Sequence, residues 1–219
     1  MTPPVAFRET ICRAAIGERK YIRYFDNRGH FAHLKVQLSP ADRINVSATD
    51  AARQAIPESC CRAALNSLRD CMQCGPVRGF PLHNIDAQII GGTYLERHSY
   101  PQAFAHAAQM AFDDALRHAI PVVAEPWIEL KIFLRDATLS DLVHAIQQLG
   151  EDLELSFRSV DPSTVRTSLP VRLLPELEMC FAADELIVVP VANRPLDYRP
   201  VGADFRWDKP DRANFASWT

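Results

Sequence analysis

Cysteine offers the most obvious chemistry in this chain, at Cys12, Cys60, Cys61, Cys71, Cys74 and Cys180. Cys71-Met-Gln-Cys74 is a CxxC pair, and Cys60-Cys61 lies just ahead of it. A structural zinc ion needs four convergent ligands, usually two pairs on separate turns. Here all four fall within CCRAALNSLRDCMQCG, which reads as a single helix capped by Gly75. Cysteine pairs spread along one helix cannot close around one ion. They are expected to be small buried side chains with reduced thiols, which suits a cytoplasmic compartment. No metal and no cofactor is expected.

The remaining candidates assemble no catalytic constellation. Asp113 and Asp114 are adjacent on a helical stretch and so point to different faces. His106 and His118 lie on that same stretch and read as surface residues. The 219 residues contain no G-x-x-x-x-G-K-[ST] phosphate loop, so neither nucleotide binding of that kind nor an enzyme is expected.

Charge narrows the options further. The net charge of −3 argues against a protein that binds nucleic acid over its whole surface. The balance is uneven, however, at +2 up to Glu125 and −5 beyond it. Arg8, Arg13, Arg19, Lys20, Arg23, Arg28 and Lys35 face only Glu9, Glu18 and Asp26 over the same stretch. Any phosphate contact therefore belongs to the N-terminal half. No apolar run reaches the roughly 20 residues of a membrane helix, and MTPPVAFRET has no signal-peptide character.

These residues must be carried by a scaffold that the patterning outlines. Residues 5–12, 20–24 and 31–38 have strand composition, with Asp26-Asn27-Arg28-Gly29 as a hairpin turn. Residues 39–55 carry no clear signal. A helix is predicted from Ile56-Pro57 to about Cys74, then a strand over 84–90. A second helix, rich in alanine, runs from about Pro101 to His118. Past Glu125 the order is strand 127–135, helix 138–149, strands 153–158 and 167–174, helix 175–183 and strand 186–192. That is the β-α-β-β-α-β arrangement of a ferredoxin-like unit. The expected division is 1–125, 126–192 and a tail, 193–219, containing Phe205, Trp207, Phe215 and Trp218.

Several spaced motifs resemble the fourth domain of elongation factor G. Pro4-Val5-Ala6-Phe7-Arg8-Glu9-Thr10-Ile11 is similar to that domain's opening, and Arg28-Gly29-His30-Phe31-Ala32-His33 to its R-G-Q-Y-G-H. Ile56-Pro57, Gly79-Phe80-Pro81, Ala103-Phe104, Met110-Ala111-Phe112 and Glu125-Pro126 follow in the same order. Beyond 126 the likeness rests on element order. The family's T-Q-G-R-G stretch is replaced by Phe181-Ala182-Ala183-Asp184-Glu185-Leu186. The resemblance implies an α+β protein of two domains: a fourth-domain-like β-α-β sandwich of ribosomal-protein type, then a ferredoxin-like domain.

It also implies a function: a module without GTPase activity that touches the ribosome or another structured RNA through loops at the tip of its first domain. Two loops are the candidates. The first supplies Arg23, Asn27, Arg28, Gly29, His30 and His33, in which arginine can bond phosphate bidentately and histidine can donate or accept. The second supplies Gly92, Thr93, Tyr94 and Arg97, with Tyr94 either a stacking platform or a core residue. Both depart from the family. Phe25-Asp26-Asn27 replaces a glycine-rich S-G-G, and Leu95 stands where the family has a histidine. The alternatives are a repurposed protein-interaction module, suggested by Leu95, the acidic second half and the aromatic tail, or a truncated paralogue.

Overall fold

The computed structural model describes residues 6–25, 28–149, 158–161, 163–182, 185–191 and 197–201. It is an α+β fold with two sheets, as expected. The first sheet has the order β2(Ala15–Phe25)-β3(Arg28–Pro40)-β5(Ile85–Thr93)-β4(Asn45–Ala48). The hairpin strands β2 and β3 are far longer than their composition suggested, because each residue of one finds a partner on the other, from Ala15↔Leu38 to Phe25↔Arg28. Alternation along β3 sends Ala32, Leu34, Val36 and Leu38 into the core.

The stretch 39–55, silent in sequence, holds β4 and a short helix α1(Asp50–Ala55). β4 lies parallel to β5, and Thr49 caps α1 by accepting from the Ala52 amide at 3.2 Å. Helices α2(Glu58–Cys71) and α3(Pro101–His118) cover one face of this sheet. Pro57 is the N-cap of α2, so the helix begins just past the predicted Ile56-Pro57 start. In α3 the alanines allow unusually close approach: a Cβ on Gly17 of β2 would lie 2.0 Å from the Ala111 carbonyl oxygen. Ile120, with φ of 55°, turns the chain out of α3 and into the next strand.

The second sheet is built on β6(Pro121–Leu134), which passes unbroken through position 125. With α4(Leu139–Leu149), β7(Arg158–Asp161), β8(Thr164–Pro170), α5(Leu174–Met179) and β9(Leu186–Pro190) it gives the β-α-β-β-α-β order, with strands arranged β9-β6-β8-β7. The strand predicted over 153–158 lies mainly outside the described residues; β7 begins at Arg158. The strand predicted to 174 ends at Pro170, where one 3-10 turn, Val171–Leu173, leads into α5. Two further strands join β6 from distant parts of the chain: β1(Arg8–Ile11), and β10(Asp197–Pro200) from the tail segment.

β1 is where the two sheets meet. Its backbone bonds β6 on one side and residues 81–83 on the other, through Glu9 N to the Pro81 carbonyl at 3.0 Å and His83 N to the Glu9 carbonyl at 2.7 Å. The Glu9 carboxylate is wholly buried and accepts the amides of Val77, Arg78 and Phe80 at 2.8, 2.7 and 3.1 Å. Gly75 belongs to this arrangement. The sequence made it the cap of α2, but the helix ends at Cys71 with Met72 as its cap. A Cβ on Gly75 would lie 2.2 Å from Glu9 Oε2, so only glycine leaves room for the carboxylate.

Replacing Glu9 by alanine removes the acceptor of three backbone amides, and should destabilise the protein by about 3 kcal/mol in urea unfolding. Gly75→Ala should cost about 1–3 kcal/mol by overpacking the same site. The two losses should combine to less than their sum, since both disrupt one interaction. Additive losses would mean that Gly75 and Glu9 act independently.

Candidate nucleic-acid interface

The cysteines form no such site. Cys60 and Cys61 are buried in the core, Cys71 lines a groove between α2 and α3, and Cys74 lies past the helix end and is exposed. Burial pushes the Cys71 thiol up to about 11, with Asp113 and Asp70 adding to the effect. Among the described residues, no group of three or more His, Cys, Asp or Glu side chains converges as metal ligands would.

Asp114 and the two histidines of α3 have structural partners. Asp114 pairs with Arg19 and accepts the Glu18 amide at 3.2 Å, which ties β2 to the helix. Asp113 faces the groove instead, where burial raises its carboxyl above the usual range. His106 stacks on Tyr21 with ring centroids 5.0 Å apart. His118 Nδ1 lies 2.7 Å from the Asp114 carbonyl, and Arg13 donates to the His118 carbonyl at 2.7 Å. A cation there complements the negative end of the helix.

The two loops expected to touch RNA come together at one end of the first sheet. The bend that follows β5, residues 94–100, docks on β3 at Phe31. Phe31 N donates to the His98 carbonyl at 2.6 Å. The Ser99 hydroxyl donates to the Phe31 carbonyl at 2.7 Å and accepts from Leu95 N at 2.9 Å. Ser99 is 6% exposed, so this hydroxyl is a buried latch between the loops. Behind it, His30 packs its ring on Tyr100 at 5.0 Å.

The individual residues divide into two groups. Arg23 and Arg97 are exposed, and Gly29 lies in β3 beside His98. Arg28 opens β3 opposite Phe25, and Asn27 lies outside the described residues. His33, by contrast, is held on both ring nitrogens: Nδ1 is 3.0 Å from Thr93 Oγ1 and Nε2 is 2.7 Å from Glu18 Oε1. Lys35 binds the other Glu18 oxygen at 3.0 Å, and hydrogen bonds from Lys35 and His33 hold the Glu18 carboxyl below its usual range. Gly92 faces inward, where a Cβ would lie 2.6 Å from the His33 carbonyl oxygen and 2.7 Å from Ile56 Cδ1. Tyr94 packs against the core, the second of the two roles open to it. Sequence reasoning overlooked Tyr24, which is 78% exposed, and Ser99. Tyr24 shares the outward face of β2 with Ile22, a pattern of alternation that was there to be read.

Comparison with known proteins places this geometry. A sequence profile described as "Elongation factor G, domain IV" matches residues 3–120. The chain belongs to the elongation factor G domain IV family. Elongation factor G of Thermotoga petrophila is 33% identical over 156 residues, covering 69% of this chain and 22% of that protein. Elongation factor G of Petrotoga mobilis is 30% identical over 168 residues, covering 75% of this chain and 24% of that protein. The chain thus spans about a quarter or less of these relatives. A crystal structure of a Thermus thermophilus protein superposes with a TM-score of 0.65 at 25% identity, over 93% of this chain and 31% of that one. The likeness to that structure extends well past the segment the domain IV profile matches.

Ser99→Ala should cost about 1–2 kcal/mol of stability. Its more specific signature is faster hydrogen exchange at the Leu95 and Phe31 amides, with exchange in α2 unchanged. Unaltered exchange at both amides would mean that the loops are held together by something other than the latch.

Proposed function

We propose that this chain is a non-catalytic module that contacts the ribosome or other structured RNA through the paired tip loops of its domain IV-like half, without GTPase activity of its own. The observation that carries this reading is the docking of residues 94–100 on β3, which presents Arg23, Arg97, Gly29 and His98 from two loops at one end of the sheet. Preorganised loops bind with less loss of conformational entropy than free ones. Arginine side chains at such a tip suit phosphate oxygens, which supply most of the affinity and fix the register of RNA contacts.

The family supports the reading in outline. The substitutions at the tip modify it: Leu95 can offer RNA an apolar contact but no hydrogen bond. No helix among the described residues is long and apolar enough to cross a membrane. The reading is of a cytoplasmic translation-associated module.

Ribosome sedimentation and RNA filter binding at several salt concentrations test it. Affinity should fall steeply with salt, and Arg23→Gln or Arg97→Gln should reduce the logarithmic salt slope by about one each if each meets one phosphate. Absence of salt-sensitive binding to ribosomes or RNA would overturn the proposal.

A further inference from the structure

The first sheet is covered by helices on one side only. On the other side β2 and β3 present their outward residues: Ile22 beside Phe31 and Tyr24 beside Gly29, as direct cross-strand pairs. Ile22 is 59% exposed and Phe31 is half-buried. The chain leaves two large apolar side chains, Ile22 and Tyr24, facing outward in succession at the tip end of an edge strand.

Gly29 explains how Tyr24 is arranged. A Cβ on Gly29 would lie 3.1 Å from His98 Nδ1 and 3.6 Å from Tyr24 Cζ. The tyrosine ring and the exposed imidazole therefore converge over a position that has no side chain. The result is a shallow π-surface, Tyr24–Gly29–His98, continued along the sheet by the Ile22–Phe31 pair. Tyr94, for which a stacking and a core role were both open, is partly buried and packs against the core.

The charges around this surface select its occupant. Lys20 follows Ile22 along the same outward row and is exposed, as is Arg97 near the tip, whereas Arg23 belongs to the opposite row of β2. The acid of that row, Glu18, has one carboxylate oxygen bonded to His33 and the other to Lys35. Exposed π-faces set among cations are what unpaired nucleobases require, because every base has a π-face and every nucleotide a phosphate. A duplex buries its base faces in its own stack and would leave Tyr24 without a partner.

We infer that the Tyr24–His98 surface is a stacking platform for unpaired bases of single-stranded RNA, adjoining the tip loops. This rests on the proposed RNA-contacting role and specifies the class of RNA involved. It needs no turnover and no cofactor.

The test uses the full chain, with two fluorescent probes: an oligouridylate of about a dozen nucleotides and an RNA duplex of similar length. The oligouridylate should bind the more tightly. Tyr24→Ala should weaken oligouridylate binding on the order of tenfold and leave duplex binding unchanged. Tyr24→Phe should bind as the parent does, since it keeps the ring. Because Tyr24 is 78% exposed, both variants should fold, which circular dichroism will verify. Equal oligouridylate binding by Tyr24→Ala and the parent, with salt-sensitive RNA binding intact, overturns this inference alone. If Tyr24→Ala lowers ribosome sedimentation but not oligouridylate binding, the surface is a protein contact and the inference is again overturned. If no RNA and no ribosome binds, the proposed function fails first and takes this inference with it.

Discussion

The buried carboxylate of Glu9 is the interaction on which the arrangement of the molecule depends. A charged group without water is tolerated only when its oxygens are matched by donors, and three backbone amides from one loop supply them. The match fixes more than a side chain. β1 is a strand of the second sheet, while the donor loop connects α2 to β5 of the first. A carboxylate on one and amides on the other join the two sheets near their common boundary. Gly75 allows the approach, and the backbone bonds of Pro81 and His83 extend it into a short ladder.

Neighbouring contacts reinforce that junction. Arg172 donates to Glu125 at 2.7 Å, and burial raises the Glu125 carboxyl despite the opposing influence of the arginine. Tyr198 of β10 packs against His83 with ring centroids 4.6 Å apart, and the Arg199 guanidinium lies 4.1 Å from the centre of the Trp127 ring. Elements from both ends of the described chain thus meet on β6. The tip lies at the far end of β2 and β3 from Ala15 and Leu38, and its order comes from a second, smaller device, the Ser99 latch. The junction ties the two sheets together, and the proposed RNA contact lies at the tip.

Much of this was legible in the residues. The alanine spacing of 101–118 marks a helix whose ends are those observed, and the element order after Glu125 announces a ferredoxin-like unit that the strand order β9-β6-β8-β7 bears out. What escaped was partnership. Nothing in RETI says that it pairs with PVVA more than a hundred residues later, because periodicity records which face is buried but not by what. β4 and α1 escaped because they are short and polar and are held by Thr49 and by parallel pairing with β5. At the tip, motif position could not distinguish His33, engaged by Thr93 and Glu18, from the exposed Arg23 and Arg97. Nor could it distinguish the packed Tyr94 from the exposed Tyr24.

The central claim is that one face at one end of the first sheet meets RNA. Photochemical cross-linking of the intact chain to ribosomes, with the attached peptides identified by mass spectrometry, tests it most directly. The account predicts RNA adducts on residues 22–31 and 93–100. Adducts confined to the second sheet or to the α2–α3 groove, with the tip unmodified, would contradict it.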